Sequence, residues 1–278
     1  MTIKSIFKIS AGISFIFLSL LMVTGWGLGG GYIPSDSEAF SSILYLRNMG
    51  GVGQMIRSLH FYLSSSLIIS GFIFLISFYI LGYVSRFTKQ WYFSLIIYFL
   101  IVGSCFTGYL LPMDQNAFWG TLVRLGIVET IPFFGTFIAN ILRGGLTIGS
   151  ETLSRFFTIH SSIIPIFLSV ISLVLIQSQW ENIKLIVSRA SILYGTILGV
   201  ILLYYWAFSF SAPLELPANP IDVEYIPRPE WYFLWLFEFG KYVEWAPWIR
   251  SALLPLLGTL FLFGLPFIKQ QSSKQRYT

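Results

Sequence analysis

The sequence predicts an all-α protein, a polytopic transmembrane bundle of about six spanning helices with interfacial helices between the third and the fourth. Composition is the first observation behind this. Of 278 residues, 55% are hydrophobic and 10% charged, and the mean hydropathy is +0.75. A soluble domain usually carries about a quarter Asp, Glu, Lys and Arg, so lipid must solvate much of this surface. The second observation is a series of apolar stretches near the roughly 20 residues that a bilayer requires. The third is that basic residues collect between alternate stretches.

In chain order the spans are predicted at about 9–28 (A), 57–83 (B), 90–111 (C), 153–178 (D), 186–210 (E) and 250–268 (F). Span A follows Lys4 and Lys8 and so resembles a signal peptide. Its apolar run is long for one, and Gly25–Trp26–Gly27 is a poor cleavage site, so a retained helix fits better. Segment 112–152 holds Pro132, Gly135 and two apolar pieces too short to span, which are expected at the interface. Segment 211–249 carries Pro213, Pro217, Pro220, Pro227 and Pro229, and residues 269–278 form a polar tail.

Six spans put both termini on one side. That side holds Lys4, Lys8, Arg86, Lys89, Lys184, Arg189, Lys269, Lys274 and Arg276 against the single acid Glu181. Lys and Arg accumulate in cytoplasmic loops, so both termini are expected in the cytoplasm and the two long segments on the opposite, outer face. The net charge of +5 is then mostly topology and calls for no nucleic acid. The lone Cys105 excludes an internal disulfide, a cysteine-ligated iron–sulfur cluster and covalent c-type haem attachment.

His60 and His160 are the only histidines. Helices B and D both run inward from outer loops, and at about 1.5 Å per residue the two rings come to similar depth near the outer face. A polar ring in hydrocarbon tends to mark function. Either histidine alone is compatible with a hydrogen-bonded interfacial residue, but the pair at matched depth favours a shared ligand. Haem between two axial imidazoles is the natural candidate. Arg57 and Arg155, shortly before each histidine, suit haem propionates, with interfacial snorkelling as their bland alternative. Gly25 and Gly108 lie near the outer ends of A and C, where a flat macrocycle needs backbone without side chains.

Several segments carry a family likeness: AFSSILYLRNMGGVGQMIRSLH leading into B, TGYLLPMDQNAFWG at the end of C, LRGGLTIGSETLSRFFTIH into D, and PANPIDVEYIPRPEWYFLWLFEFGKY before F. With these the chain resembles cytochrome b, the membrane core of quinol:cytochrome c oxidoreductases and their photosynthetic relatives. The resemblance implies a haem-binding four-helix bundle over 1–182 and a shortened C-terminal region over 183–278. It also implies a quinol-oxidation pocket between the C–D segment and the PEWY motif, Pro229–Tyr232. Glu230 would take a proton from quinol there, and Tyr232 would line the pocket with Trp119 and Gly120. Partners would be lipid and other subunits of a respiratory complex, among them a Rieske-type iron–sulfur protein or a c-type cytochrome. The location would be an energy-transducing membrane such as the bacterial cytoplasmic membrane.

The likeness fails at one place. Family members carry a second histidine fourteen residues further along B and D, for an inner haem. Here those positions are Phe74 and Val174, and the glycines that would flank that haem are Ala11 and Ser94. One haem b at the outer site is therefore expected, with the inner haem absent and its space filled by side chains. Two functions remain open for such a chain, a mono-haem electron-transfer subunit or a structural membrane anchor without turnover. A transporter is disfavoured because no charge falls convincingly at mid-membrane.

Overall fold

The computed structural model describes residues 2–49, 51–186 and 189–268. The polar tail, with Lys269, Lys274 and Arg276, lies outside the described residues, as do the side chains of Glu181, Lys184 and Arg189. Among the described residues there is no strand, only an isolated bridge between Asp114 and Pro217.

The first helix, α1 (Ile3–Gly29), starts at Thr2, whose hydroxyl accepts from the Ser5 amide at 3.2 Å as an N-cap. A ten-residue helix, α2 (Ala39–Asn48), precedes α3 (Val52–Ile80). A single turn, α4 (Tyr83–Arg86), links α3 to α5 (Thr88–Gly108). Two helices too short to span follow, α6 (Gln115–Glu129) and α7 (Gly135–Arg143). The next helix runs without a break from Ser150 to Ile186. It comprises α8 (Ser150–Thr158), a π-helical turn at Ile159–Ile163, and α9 (Ile164–Ile186).

After α10 (Arg189–Ser209) the chain runs without helix, turning at 219–225, until α11 (Trp231–Tyr242). A second π turn at Ile249–Leu253 leads into α12 (Leu254–Gly264). Among the described residues, five helices are long and apolar enough to cross a membrane: Ile3–Gly29, Val52–Ile80, Thr88–Gly108, Ser150–Gln177 and Ile249–Phe267. The sixth predicted span falls on α10. That helix is 21 residues long, although its apolar described stretch covers only Leu193–Leu203. The chain is an integral membrane protein.

Helices α1, α3, α5 and α8–α9 form the bundle, with α10 laid against α1 and α3. The α1–α10 crossing is close because a Cβ at Gly195 would come within 2.9 Å of the Gly12 carbonyl carbon. Buried side chains form three clusters along the bundle. One lies beneath the interfacial helices, around Tyr32, Leu110, Phe118, Leu125 and Phe156. A middle cluster gathers Phe17, Leu59, Leu63, Leu67, Ile101 and Leu168. The third, at the opposite end, contains Phe7, Phe78, Trp91, Leu95 and Leu265. Long apolar faces outside these clusters remain exposed, as lipid-facing helices require.

Two helices escaped the hydropathy pattern. Helix α2 is too polar to read as a span, and α11 is hidden among the prolines that precede it.

Candidate functional site

His60 projects from α3 and His160 from the π turn between α8 and α9, both half-buried. Their ring centres are 6.0 Å apart and the planes lie at 78°. Each ring is held from a neighbouring helix. The Nδ1 of His60 lies 3.0 Å from the Thr24 hydroxyl on α1, and the Nδ1 of His160 lies 2.9 Å from the Ser104 carbonyl on α5.

These partners assign the tautomers. A carbonyl can only accept, so Nδ1 of His160 carries the proton. The Thr24 hydroxyl donates to the Leu20 carbonyl at 2.8 Å, which leaves its oxygen to accept from His60. Both Nε2 atoms therefore keep their lone pairs, and a hydrogen bond on the other ring nitrogen is how metal-ligating histidines are commonly oriented. With their ring centres 6.0 Å apart, the two imidazoles are close enough for one bound group to reach both. Among the described residues no group of three or more His, Cys, Asp and Glu could hold a metal. A metal at this pair would have to bring its other ligands, as iron in a porphyrin does. The donor set thus fits haem.

The glycines stand against the imidazoles themselves. A Cβ at Gly25 would lie 3.0 Å from Cε1 of His60, and one at Gly108 would lie 2.5 Å from Cε1 of His160. The two arginines hold backbone. Arg57 donates to the carbonyls of Ala212 at 2.8 Å and Pro213 at 2.5 Å, and Arg155 donates to the carbonyl of Ile141. Arg57, with Ser58 accepting from the Ala212 amide at 3.0 Å, fastens the start of the 211–230 segment to α3.

The rest of that segment is sewn to the first turn of α6. Asp114 caps α6 by accepting from the Ala117 amide at 2.9 Å and also accepts from the Glu215 amide at 3.1 Å. Gln115 accepts from the Asn219 amide at 2.6 Å and donates to Asp222 at 2.9 Å. The Asn116 side chain accepts from the Arg228 amide at 2.8 Å. Glu230, two residues later, is thereby delivered to the N-terminus of α11 and against α6.

There Glu230 makes no capping bond. It pairs with Arg124 of α6, and the two side chains are 15% and 6% exposed. The Arg124 guanidinium lies 3.6 Å from the ring centre of Tyr109. Gly120 makes room for that ring, since a Cβ there would be 2.9 Å from Tyr109 Cε1. Burial raises the Glu230 carboxyl above its ordinary range, while Arg124 pulls it back in part. Tyr232, two residues on, packs against the middle cluster beside Cys105. Sequence reasoning missed Arg124, Thr24 and Ser104. A lone arginine in the otherwise apolar run WGTLVRLGIV was the available signal for Arg124; a hydroxyl and a carbonyl on helices give none.

The inner positions divide. Phe74 stacks on Phe7 with centroids 5.0 Å apart and meets Phe78 edge-on. Val174, by contrast, is 43% exposed.

Comparison with known proteins bears on the family and the fold. The family model described as cytochrome b/b6/petB matches residues 1–179. The cytochrome b subunit of a cytochrome bc complex from Chlorobaculum thiosulfatiphilum is 28% identical over 287 residues, covering 95% of this chain and 67% of that protein. Cytochrome b6 of Euglena gracilis is 32% identical over 163 residues, covering 58% of this chain and 76% of its own. A solved structure titled hyperthermophilic respiratory Complex III superposes with a TM-score of 0.78 at 21% identity, covering 96% of this chain and 76% of that one. The bundle, the helix order and the sequence match converge, and the chain belongs to the cytochrome b/b6 family.

Proposed function

We propose that this chain is a membrane electron-transfer subunit of a quinone-linked respiratory complex, binding one haem b between His60 and His160 near the outer face. Family membership implies haem b. The observation that carries the assignment to these residues is the pair of rings 6.0 Å apart, each with Nδ1 engaged by a different helix. When bound, the haem supplies a one-electron relay inside the bundle. Thr24 and Ser104 orient the two imidazoles, and Gly25 and Gly108 leave the rings their space. Arg57 and Arg155 are the candidates for the propionates, each exchanging a carbonyl for a carboxylate.

Quinol would react beside Glu230, whose carboxylate takes the proton as quinol is oxidised, with Tyr232 closing the pocket from α11. The raised affinity of Glu230 for protons supports this role. The partners would be other subunits of the complex, a Rieske-type iron–sulfur protein or a c-type cytochrome among them. The C. thiosulfatiphilum relative, a subunit of a cytochrome bc complex, supports this. Both termini would be cytoplasmic. Residues 1–182 would form the haem-binding half, a division supported by the extent of the family match, and 183–278 the shortened second half.

The inner haem would be absent, a reading supported by the aromatic filling around Phe7, Phe74 and Phe78. That filling also favours a second function, a structural anchor derived from the family. Haem b per chain, measured by pyridine haemochrome on the purified complex with a His160→Ala control, separates them. One haem, lost in the variant, supports the electron-transfer subunit. None makes the chain an anchor, and two would show that the inner end does bind haem.

A further inference from the structure

The Arg124–Glu230 pair is made by one atom of each group, Nη2 and Oε2. The other two, Arg124 Nη1 and Glu230 Oε1, are buried with no hydrogen-bond partner, and so is Trp119 Nε1 on the same helix as Arg124. Leaving a charged group's donor or acceptor buried and unmade is costly, more so than for a neutral group. A donor and an acceptor left open within one ion pair, on groups of opposite charge, suit one chemical partner above others: a hydroxyl that donates to Oε1 while its oxygen accepts from Nη1.

We infer that Arg124 is a catalytic residue of the quinol site, forming with Glu230 a two-point grip on a single quinol hydroxyl. This rests on the reading of Glu230 as the proton acceptor. In the step, the quinol O–H bond breaks and an O–H bond forms at Glu230 Oε1, with no electron moved. The negative charge left on the quinol oxygen is met by Nη1. A preset donor aimed at developing charge in a dry site is worth more than in water.

The geometry suits that task. The guanidinium is held flat by the Tyr109 ring at 3.6 Å, with the Phe106 and Phe233 rings 6.0 Å away. It is thus positioned from α5 and α11 as well as from its own α6. The ionisable groups facing Glu230 are Arg124 from α6, Tyr109 and Cys105 from α5, and Tyr232 from α11. Arg124 is the only cation among them, so its removal leaves the carboxylate with no counter-charge there.

The test is quinol-dependent haem b reduction in the purified complex, with short-chain ubiquinol and short-chain menaquinol tried separately, across acid to alkaline pH. Arg124→Gln, Arg124→Lys and Glu230→Gln are compared at equal haem content. Arg124→Gln is expected to slow reduction about a hundredfold and to move the acid limb to higher pH, because the charge that favours ionised Glu230 is gone. Arg124→Lys keeps the charge but loses the fork, so about a tenfold loss is expected with the limb little moved. If Glu230→Gln slows reduction while both Arg124 variants match wild type, the inference is overturned and the Glu230 reading stands. If Glu230→Gln also reacts like wild type, the quinol reading fails and takes the inference with it. Should Arg124→Gln fail to assemble, a wild-type rate in Arg124→Lys is sufficient to overturn it.

Discussion

The indole of Trp91 donates to the carbonyl of Leu262 at 2.9 Å, tying the last apolar helix to the inner end of α5. Tyr92 repeats the tie, its hydroxyl reaching the Phe263 carbonyl at 3.2 Å and its ring stacking on that of Phe263. The inner end is therefore closed from two directions, by Phe74 and its neighbours within the bundle and by α12 across it. Installing both missing histidines, Phe74→His with Val174→His, is expected to leave the haem count unchanged. Position 174 is on an exposed surface, and Phe7 and Phe78 still fill the space. Pyridine haemochrome on the double variant checks this, and a gain of one haem per chain would refute it.

The two histidine-facing glycines differ in tolerance. At Gly25 the nearest imidazole atom would be 3.0 Å from a new Cβ, a gap that a few tenths of an ångström relieve, while at Gly108 it would be 2.5 Å. Gly108→Ala is expected to lose most of the haem and Gly25→Ala much less. Gly27→Ala, where a Cβ meets only Ile56 at 3.8 Å, serves as the control and should keep all of it. Haem content at matched expression is the readout.

Thr24→Val removes the oxygen that accepts from His60 while keeping the shape of the side chain. The imidazole then loses its side-chain partner on α1, and haem affinity should fall by roughly tenfold or more. Competition for haem against an apo-haem protein would show it, together with a shifted midpoint in a redox titration. Thr24→Ser should restore both, since it returns the acceptor.

Burial holds Glu230 protonated to higher pH than an ordinary carboxylate. Only the ionised form can take a proton, so quinol-dependent reduction is expected to climb as pH rises through that raised value and then level. Glu230→Gln should abolish the limb as well as lower the rate. A limb that persists unchanged in Glu230→Gln would assign the titration to another group.

Hydropathy made the spans legible because each is an unbroken apolar run, and the histidine pair was legible because the chain has no others. What escaped depends on contacts between distant segments. Arg124 reads as an isolated interfacial charge until Asp114, Gln115 and Asn116 are seen to draw the 215–228 segment across the start of α6 and bring Glu230 to it. Arg57 reads as a propionate partner from its place one turn before His60, and nothing in that place hints that it also holds the carbonyls of Ala212 and Pro213. No local pattern announces a carbonyl that arrives from over a hundred residues away.

The π turn at Ile159–Ile163 acts on this helix as a frameshift acts on a message. It takes up one residue more than an α turn, so everything after it is rotated by about 100° from where counting from His160 would put it. Val174 then falls out of phase with the face that holds His160. With that extra residue wound in, a histidine at 174 would be spelled correctly and read on the wrong side of the helix.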